Sequence, residues 1–368
     1  MIDGGCARAS GRLPGGSGTG EAGISAQNVT GVVGPGHGPG GSPLAIGISP
    51  VLTGRDAFDA MRRKILDAAP GSRLIPVSAE GVADEPVDEV EVLLRGWSLG
   101  GDALDRFVGR TSKLRWIHSV SVGVESILTP VVFLRGLTIT NGRGVFDQPI
   151  GEYVMTMILS TCRRLPALLE LQRERTWQPI QAVELADTTI GLVGLGGIGQ
   201  EVARLAAPFG PRIVAIRRRV GVGETPAGVQ VLGGLEALPE LLSVSDFVVL
   251  ALPLTAVTDG VIDDEALSKA KPGSWLINVA RGALVDERAL IRALRDGPLG
   301  GAILDAFREE PLPENSPFYR FSNCIVTPHT SWSSKAVLDR ALDVFCDNLR
   351  LYRSGAPLNY VVDPAAGY

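Results

Sequence analysis

The chain is poor in the residues that staple, ligate or titrate. Among 368 residues there are four cysteines and three histidines. Cys6, Cys162, Cys324 and Cys346 are scattered, without a Cys-x-x-Cys pair. That spacing argues against a disulfide framework or a metal site and for reduced thiols in a cytoplasmic protein. No apolar stretch approaches the ~18 residues of a membrane span, so no membrane partner is expected. Charge of one sign is lacking too. Charged residues make up 20% and the net charge is −5, with no basic stripe to suit nucleic acid or a lipid surface. What remains is a globular composition, 45% hydrophobic, at a length that suits two domains.

The first 44 residues lack still more. They hold no Phe, Trp or Tyr, only four charged residues, and 14 of the 46 glycines. Such a segment cannot bury enough apolar surface to offset its ordering entropy. Residues 1–44 are expected to be a disordered Gly-rich extension. They also lack the charged start and apolar core of a secretory signal. His37 lies there and is expected to be inert.

From Leu44 onward, apolar runs alternate with helical periodicity. Ala45-Ile-Gly-Ile48, Val90-Glu-Val-Leu-Leu94, Leu114-Arg-Trp-Ile-His118 and Leu137-Thr-Ile-Thr140 read as strands, and residues 56–69 and 151–164 as helices. Later strands are expected at 246–252, 274–279, 301–304 and 324–327, with helices at 235–242, 263–270, 287–295 and 334–353. Strands alternating with helices argue for parallel sheets. The expected fold is α/β, with two Rossmann-like parallel-sheet domains. A nucleotide-binding domain at 150–330 is inserted into a discontinuous substrate domain, built from residues 45–149 and 331–368.

The insert carries the strongest motif. Thr189-Ile-Gly-Leu-Val-Gly-Leu-Gly-Gly-Ile-Gly-Gln200 reads as strand, glycine turn and helix, with Gly194, Gly196 and Gly199 in G-x-G-x-x-G spacing. The first glycine permits the tight turn, the second lets backbone approach a pyrophosphate, and the third lets helix and strand pack closely. The helix beginning at Ile198 points its first amides at the phosphates. The next strand, Arg212-Ile-Val-Ala-Ile216, runs into Arg217, Arg218 and Arg219, with no acidic residue before Glu224. An arginine cannot accept hydrogen bonds from ribose hydroxyls but can pair with a 2′-phosphate. NADP(H) is therefore favoured as cofactor over NAD(H), which remains the alternative.

Three residues sit at or beyond the carboxyl ends of predicted strands, the edge where open α/β sheets bind ligands: Arg281, Glu310 and His329. A guanidinium offers planar paired donors to a carboxylate or carbonyl. A histidine can exchange a proton near neutral pH. A carboxylate beside it holds the ring's orientation and supports the imidazolium. Together they suit interconversion of a 2-keto acid and a 2-hydroxy acid. Singly, each has a plainer reading: a surface arginine, a solvated acidic turn. His118 ends an apolar strand and is expected to be packed or hydrogen-bonded.

These residues lie in text that resembles the D-isomer-specific 2-hydroxyacid dehydrogenase family, of glyoxylate/hydroxypyruvate reductase type. The likeness runs over about residues 45–368. It includes Val193-Gly-Leu-Gly-Gly-Ile-Gly199, Leu252-Pro-Leu-Thr255, Leu276-Ile-Asn-Val-Ala-Arg-Gly-Ala-Leu-Val-Asp286, Gly301-Ala-Ile-Leu-Asp-Ala-Phe307, Glu310-Pro-Leu-Pro313 and Thr327-Pro-His329. The resemblance implies Arg281, Glu310 and His329 as catalytic residues, and a homodimer. It implies cofactor contacts from Gly194, Gly196, Gly197, Ile198, Gly199, Arg217, Arg218, Leu252, Pro253, Thr258, Val279, Ala280, Arg281 and Asp305. The substrate's carboxylate would meet backbone amides of Val122 and Gly123 in Ser121-Val-Gly-Val-Glu125, with Arg281 and His329 at the carbonyl. Trp332 and Gly151 depart from the family's usual glycine and alanine. Trp332 either contacts substrate or packs, with packing favoured, and neither residue is read as touching the chemistry. Two alternatives stay open: a cofactor-sensing, corepressor-like binding protein on the same fold, and phosphoglycerate dehydrogenase activity within the family.

Overall fold

The computed structural model describes residues 43–49, 55–218 and 225–364. Cys6, His37, Arg219, Glu224 and nearly all of the Gly-rich extension lie outside the described residues. Among the described residues twelve strands form two sheets, and every ladder between them is parallel. The first sheet holds β1 (Ala45–Ile48), β2 (Arg73–Pro76), β3 (Val90–Arg95), β4 (Trp116–Ser119) and β5 (Thr138–Thr140), in the order β2-β1-β3-β4-β5. The second holds β6 (Thr189–Val193), β7 (Arg212–Ile216), β8 (Val229–Gly233), β9 (Phe247–Leu250), β10 (Trp275–Asn278), β11 (Gly301–Leu304) and β12 (Cys324–Val326). Its order is β12-β11-β10-β9-β6-β7-β8, so the strand order reverses between β6 and β9. Loops leaving the carboxyl ends at such a switch point flank a ligand crevice.

The central strands are buried and almost wholly apolar, as expected of parallel strands covered on both faces. Residues 247–250, 276–278 and 301–304 are all buried. The two strands that apolar runs did not announce, β2 and β8, lie at sheet edges and are partly exposed. An edge strand needs no continuous apolar run, so its pattern dissolves into that of a loop. The helix expected at 151–164 begins earlier, as Asp147–Cys162, and a left-handed Arg164 separates it from a second helix, Leu165–Arg173, that buries nothing. No described helix is long and apolar enough to cross a membrane.

Helix Asp147–Cys162 packs on the fingerprint helix Gly197–Ala206. Gly151 allows the approach, since a Cβ there would lie 2.7 Å from Glu201 Cγ and 3.2 Å from Leu205 Cδ1. The last helix, Val337–Ser354, returns to the first sheet. It lies on helix Arg55–Ala68, where Lys64 Nζ meets Asp343 at 2.7 Å, and it sets Phe345 and Tyr352 against Trp116 of β4 at 5.5 and 5.3 Å between ring centroids. Removing one such ring from a core costs about 3–5 kcal/mol, enough to make this docking a main stabiliser of the return. Beyond the helix, Val362 N donates to Ile139 O of β5 at 2.9 Å.

Candidate active site

The fingerprint glycines do the steric work expected of a dinucleotide cradle. Gly194 has φ of 108°, and a Cβ there would lie 2.5 Å from Ala251 O, just past β9. A Cβ on Gly199 would collide with Gly194 O. No atom lies within 4 Å of a Cβ built on Gly196, so the backbone there faces open space. Gly196 and Gly197 are exposed at the start of the helix and Ile198 half-buried, which suits a pyrophosphate held by the first turn. The residues present therefore fit a nicotinamide dinucleotide.

Other expected contact residues line the same edge, and several are occupied in shaping it. Thr258 Oγ1 accepts from Thr255 N and donates to Pro253 O, both at 2.8 Å, which folds the loop after β9 that carries Leu252 and Pro253. Val279 and Ala280 are buried. Asn278 pins that turn, taking Ala280 N on its side-chain oxygen and giving its amide to Arg281 O. Arg217 follows β7 directly, its Nη1 3.4 Å from Thr225 Oγ1, and Arg218 is exposed.

Asp305, only 1% exposed, has a task that motif reading did not assign. Its Oδ1 accepts from Thr327 Oγ1 at 2.6 Å and Thr330 N at 2.8 Å, and its Oδ2 from Ser331 N at 2.9 Å. A carboxylate at the end of β11 thus holds the loop that carries His329.

His329 sits in that loop with φ of 49°, a left-handed backbone that a non-glycine residue adopts only when its surroundings impose it. Its Nδ1 lies 2.8 Å from Glu310 Oε2 and 3.0 Å from Oε1. Glu310 Oε1 also accepts Phe307 N at 2.9 Å, which orients the carboxylate. The structure so brings together two residues 19 apart in sequence, with Nδ1 of the ring as the engaged nitrogen. Trp332 is closer to this centre than expected. Its Nε1 donates to His329 O at 2.7 Å, while its ring stacks on Trp97 at 5.7 Å and meets the edge of Phe146. The ring packs, and the indole N–H also supports the histidine's backbone, a contact no sequence pattern announces.

Arg281 reaches across to the first sheet. Its Nε donates to Glu125 Oε1 at 3.1 Å and its Nη1 to Ala280 O at 2.9 Å. Its Nη2 lies against Gly123, where any Cβ would collide with it. Gly123 belongs to the loop after β4, and its carbonyl and that of Val122 are tied back by Ser121 Oγ and Asn141 Nδ2, both at 3.0 Å. Among the described residues, no hydrogen bond engages the N–H of Val122 or Gly123. Beneath the loop lies Arg95, 3% exposed, at the end of β3. It donates to the carbonyls of Leu99 and Trp97 and to the hydroxyls of Ser119, Ser121 and Ser126. Burial brings its pKa down to about 10, with Glu125 opposing the shift. A buried cation under a turn with open amides is an electrostatic setting for an anion. The only sequence signal for Arg95 was a charge ending a buried strand.

Residues 155–331 match the family model described as D-isomer specific 2-hydroxyacid dehydrogenase, NAD binding domain. A glyoxylate reductase of Korarchaeum cryptofilum is 32% identical over 299 residues, which span 78% of this chain and 85% of that protein. The chain belongs to the D-isomer specific 2-hydroxyacid dehydrogenase family. A second relative in the comparison, a D-3-phosphoglycerate dehydrogenase of Mycobacterium bovis, is 36% identical over 246 residues, 66% of this chain. The match spans only 46% of that longer relative. Among solved structures of the family's fold, an NADPH-dependent glyoxylate/hydroxypyruvate reductase from Sinorhizobium meliloti, in complex with NADP and sulfate, superposes with a TM-score of 0.76. It is 27% identical, covering 88% of this chain and all of that one. The remaining functional assignments rest on the geometry of this chain's own residues.

Proposed function

We propose that the protein reduces a small 2-keto acid, such as glyoxylate or hydroxypyruvate, to the D-2-hydroxy acid, with NADPH as the preferred donor. The observation that carries this reading is the His329–Glu310 pair at 2.8 Å, in a loop held by Asp305, with Arg281 against Gly123 in the loop after β4. When bound, the reduced nicotinamide supplies the hydride that adds to the keto carbon. The chain's residues do the rest. Val122 and Gly123 amides and Arg281 bind the substrate carboxylate, and Arg281 polarises the carbonyl. His329 gives a proton from Nε2 to the carbonyl oxygen as charge develops there, and Glu310 on Nδ1 holds the ring in that orientation. Leu252, Pro253, Thr258, Val279, Ala280 and Asp305 would border the cofactor, and Gly196, Gly197 and Ile198 would hold its pyrophosphate.

Arg217 and Arg218 after β7 support NADPH over NADH, since a guanidinium pairs with a 2′-phosphate. The NADPH-dependent neighbour supports the same choice. Residues 45–149 and 331–368 are proposed to act as one substrate domain around the inserted nucleotide domain. The exposed Leu165, Leu168 and Leu169 share one helix face, and that face is proposed to meet a second copy of the chain. The test is a panel of 2-keto acids with NADPH and with NADH, followed by nicotinamide absorbance. Turnover of glyoxylate or hydroxypyruvate with higher catalytic efficiency for NADPH is expected. Cofactor binding without turnover of any member would favour a cofactor-sensing protein instead.

A further inference from the structure

Glu125 is the chain's own carboxylate on the arginine assigned to the substrate. Its Oε1 takes Arg281 Nε at 3.1 Å, joining the loop after β4 to the turn after β10. The other ends of both groups converge on Gly123. A Cβ there would collide with Arg281 Nη2 and lie 2.6 Å from Glu125 Oε2. The internal ion pair therefore forms over the residue whose amide is assigned to the substrate's carboxylate. Charge points the same way. The hydrogen bonds of the buried Arg95 all end on neutral oxygens, and Glu125 is the carboxylate whose field reaches it. Arg95 and Arg281 bring two positive charges to this loop and Glu125 removes one, which leaves one for a ligand to neutralise.

We propose that Glu125 is a specificity-determining residue that holds Arg281 until a substrate carboxylate replaces it and reserves the site for 2-keto acids with a single negative group. This rests on the reading of Arg281 as the carboxylate-binding arginine. A second anionic group on the substrate meets the field of Glu125 again, with no further cation in this loop to offset it. The pair is half-exposed, at 35% and 51% for the two side chains, so solvent screens it and the selection is graded rather than absolute.

The test is titration calorimetry on the full chain saturated with NADPH, using two unreactive probes: oxamate, a monoanion, and tartronate, a dianion. Glu125→Gln should tighten oxamate about two- to five-fold, the range an exposed ion pair is worth, and tartronate by a larger factor. Glu125→Asp keeps the charge but shortens the reach. It should tighten oxamate while still disfavouring tartronate, and it keeps the test readable if the Gln variant fails to fold. No tightening in Glu125→Gln, or an equal gain for both probes, overturns the proposal. Arg281→Ala separates the two levels. Oxamate binding that survives it at wild-type strength defeats the assignment of Arg281 itself. Its loss there, with no gain in Glu125→Gln, defeats the selection by Glu125 alone.

Discussion

Two histidines stand at the ends of parallel strands, one in each sheet, and they are chemically opposite. His118 on β4 is fully buried among Trp116 and Phe345, with Nδ1 2.7 Å from Thr140 Oγ1 and Nε2 without a partner. Burial pushes its pKa down to about 3, which keeps the ring neutral. His329, past β12, is 38% exposed in its side chain and faces a carboxylate. The difference teaches that strand-end position alone does not set a histidine's chemistry. What surrounds the ring decides: apolar walls and a hydroxyl in one case, a carboxylate and an open edge in the other.

The largest effect that could break this contrast comes from removing the exposed ring. His329→Ala should cut the turnover number at least about 100-fold, the usual scale for an acid–base group, while leaving cofactor affinity intact. A turnover number near wild type would end its assignment as proton donor. Glu310→Gln comes next, with a loss of about ten- to hundred-fold, since a hydrogen bond to a charged group is worth about 1.5–3 kcal/mol. If both variants bind NADPH normally, the loss belongs to the pair and not to the fold.

The buried ring should speak through stability instead. The unfolded chain takes up a proton at His118 as pH falls below 6.5, whereas the fold resists it until about pH 3. Stability contributed by the neutral ring is therefore present above pH 6.5 and drains away as pH falls through that window. The drain is at most about 1.4 kcal/mol per pH unit. His118→Leu should flatten the pH dependence of the denaturation midpoint between these limits; a slope identical to wild type would show that the burial of His118 is not what makes the fold acid-sensitive. The smallest effect sharpens the contrast at His329, the proposed proton donor. Trp332→Phe keeps the ring but deletes the hydrogen bond to His329 O. It should cost about 0.5–1.5 kcal/mol, read as a few-fold fall in turnover with a slightly lower melting temperature.

Much of this was legible in the sequence for a physical reason. Strands buried on both faces must be continuous apolar runs, so β1, β3, β9, β10 and β11 announced themselves. The glycine cradle was legible because the backbone of Gly194 and the close approaches at Gly194 and Gly199 exclude a Cβ. Edge strands β2 and β8 were not, since partial exposure leaves their pattern mixed. Glu310 was expected to support His329, with a solvated acidic turn as its plainer reading, and the fold sets it 2.8 Å from that ring. Asp305 was placed with the cofactor by motif, but its hydrogen bonds to the 327–331 loop depend on neighbouring strands β11 and β12, and no spacing rule encodes them.

By itself, the sequence determined the parallel α/β architecture, the glycine turn of the nucleotide domain and the placing of a guanidinium, a carboxylate and an imidazole near strand ends, because each of these depends on local periodicity or on residue identity. Tertiary structure alone decided that Arg281 meets Glu125 over Gly123, that Arg95 lies buried under the same loop, and that one histidine is sealed in while another faces a carboxylate. Those are facts of distance between residues far apart in the chain, and local periodicity does not encode distance.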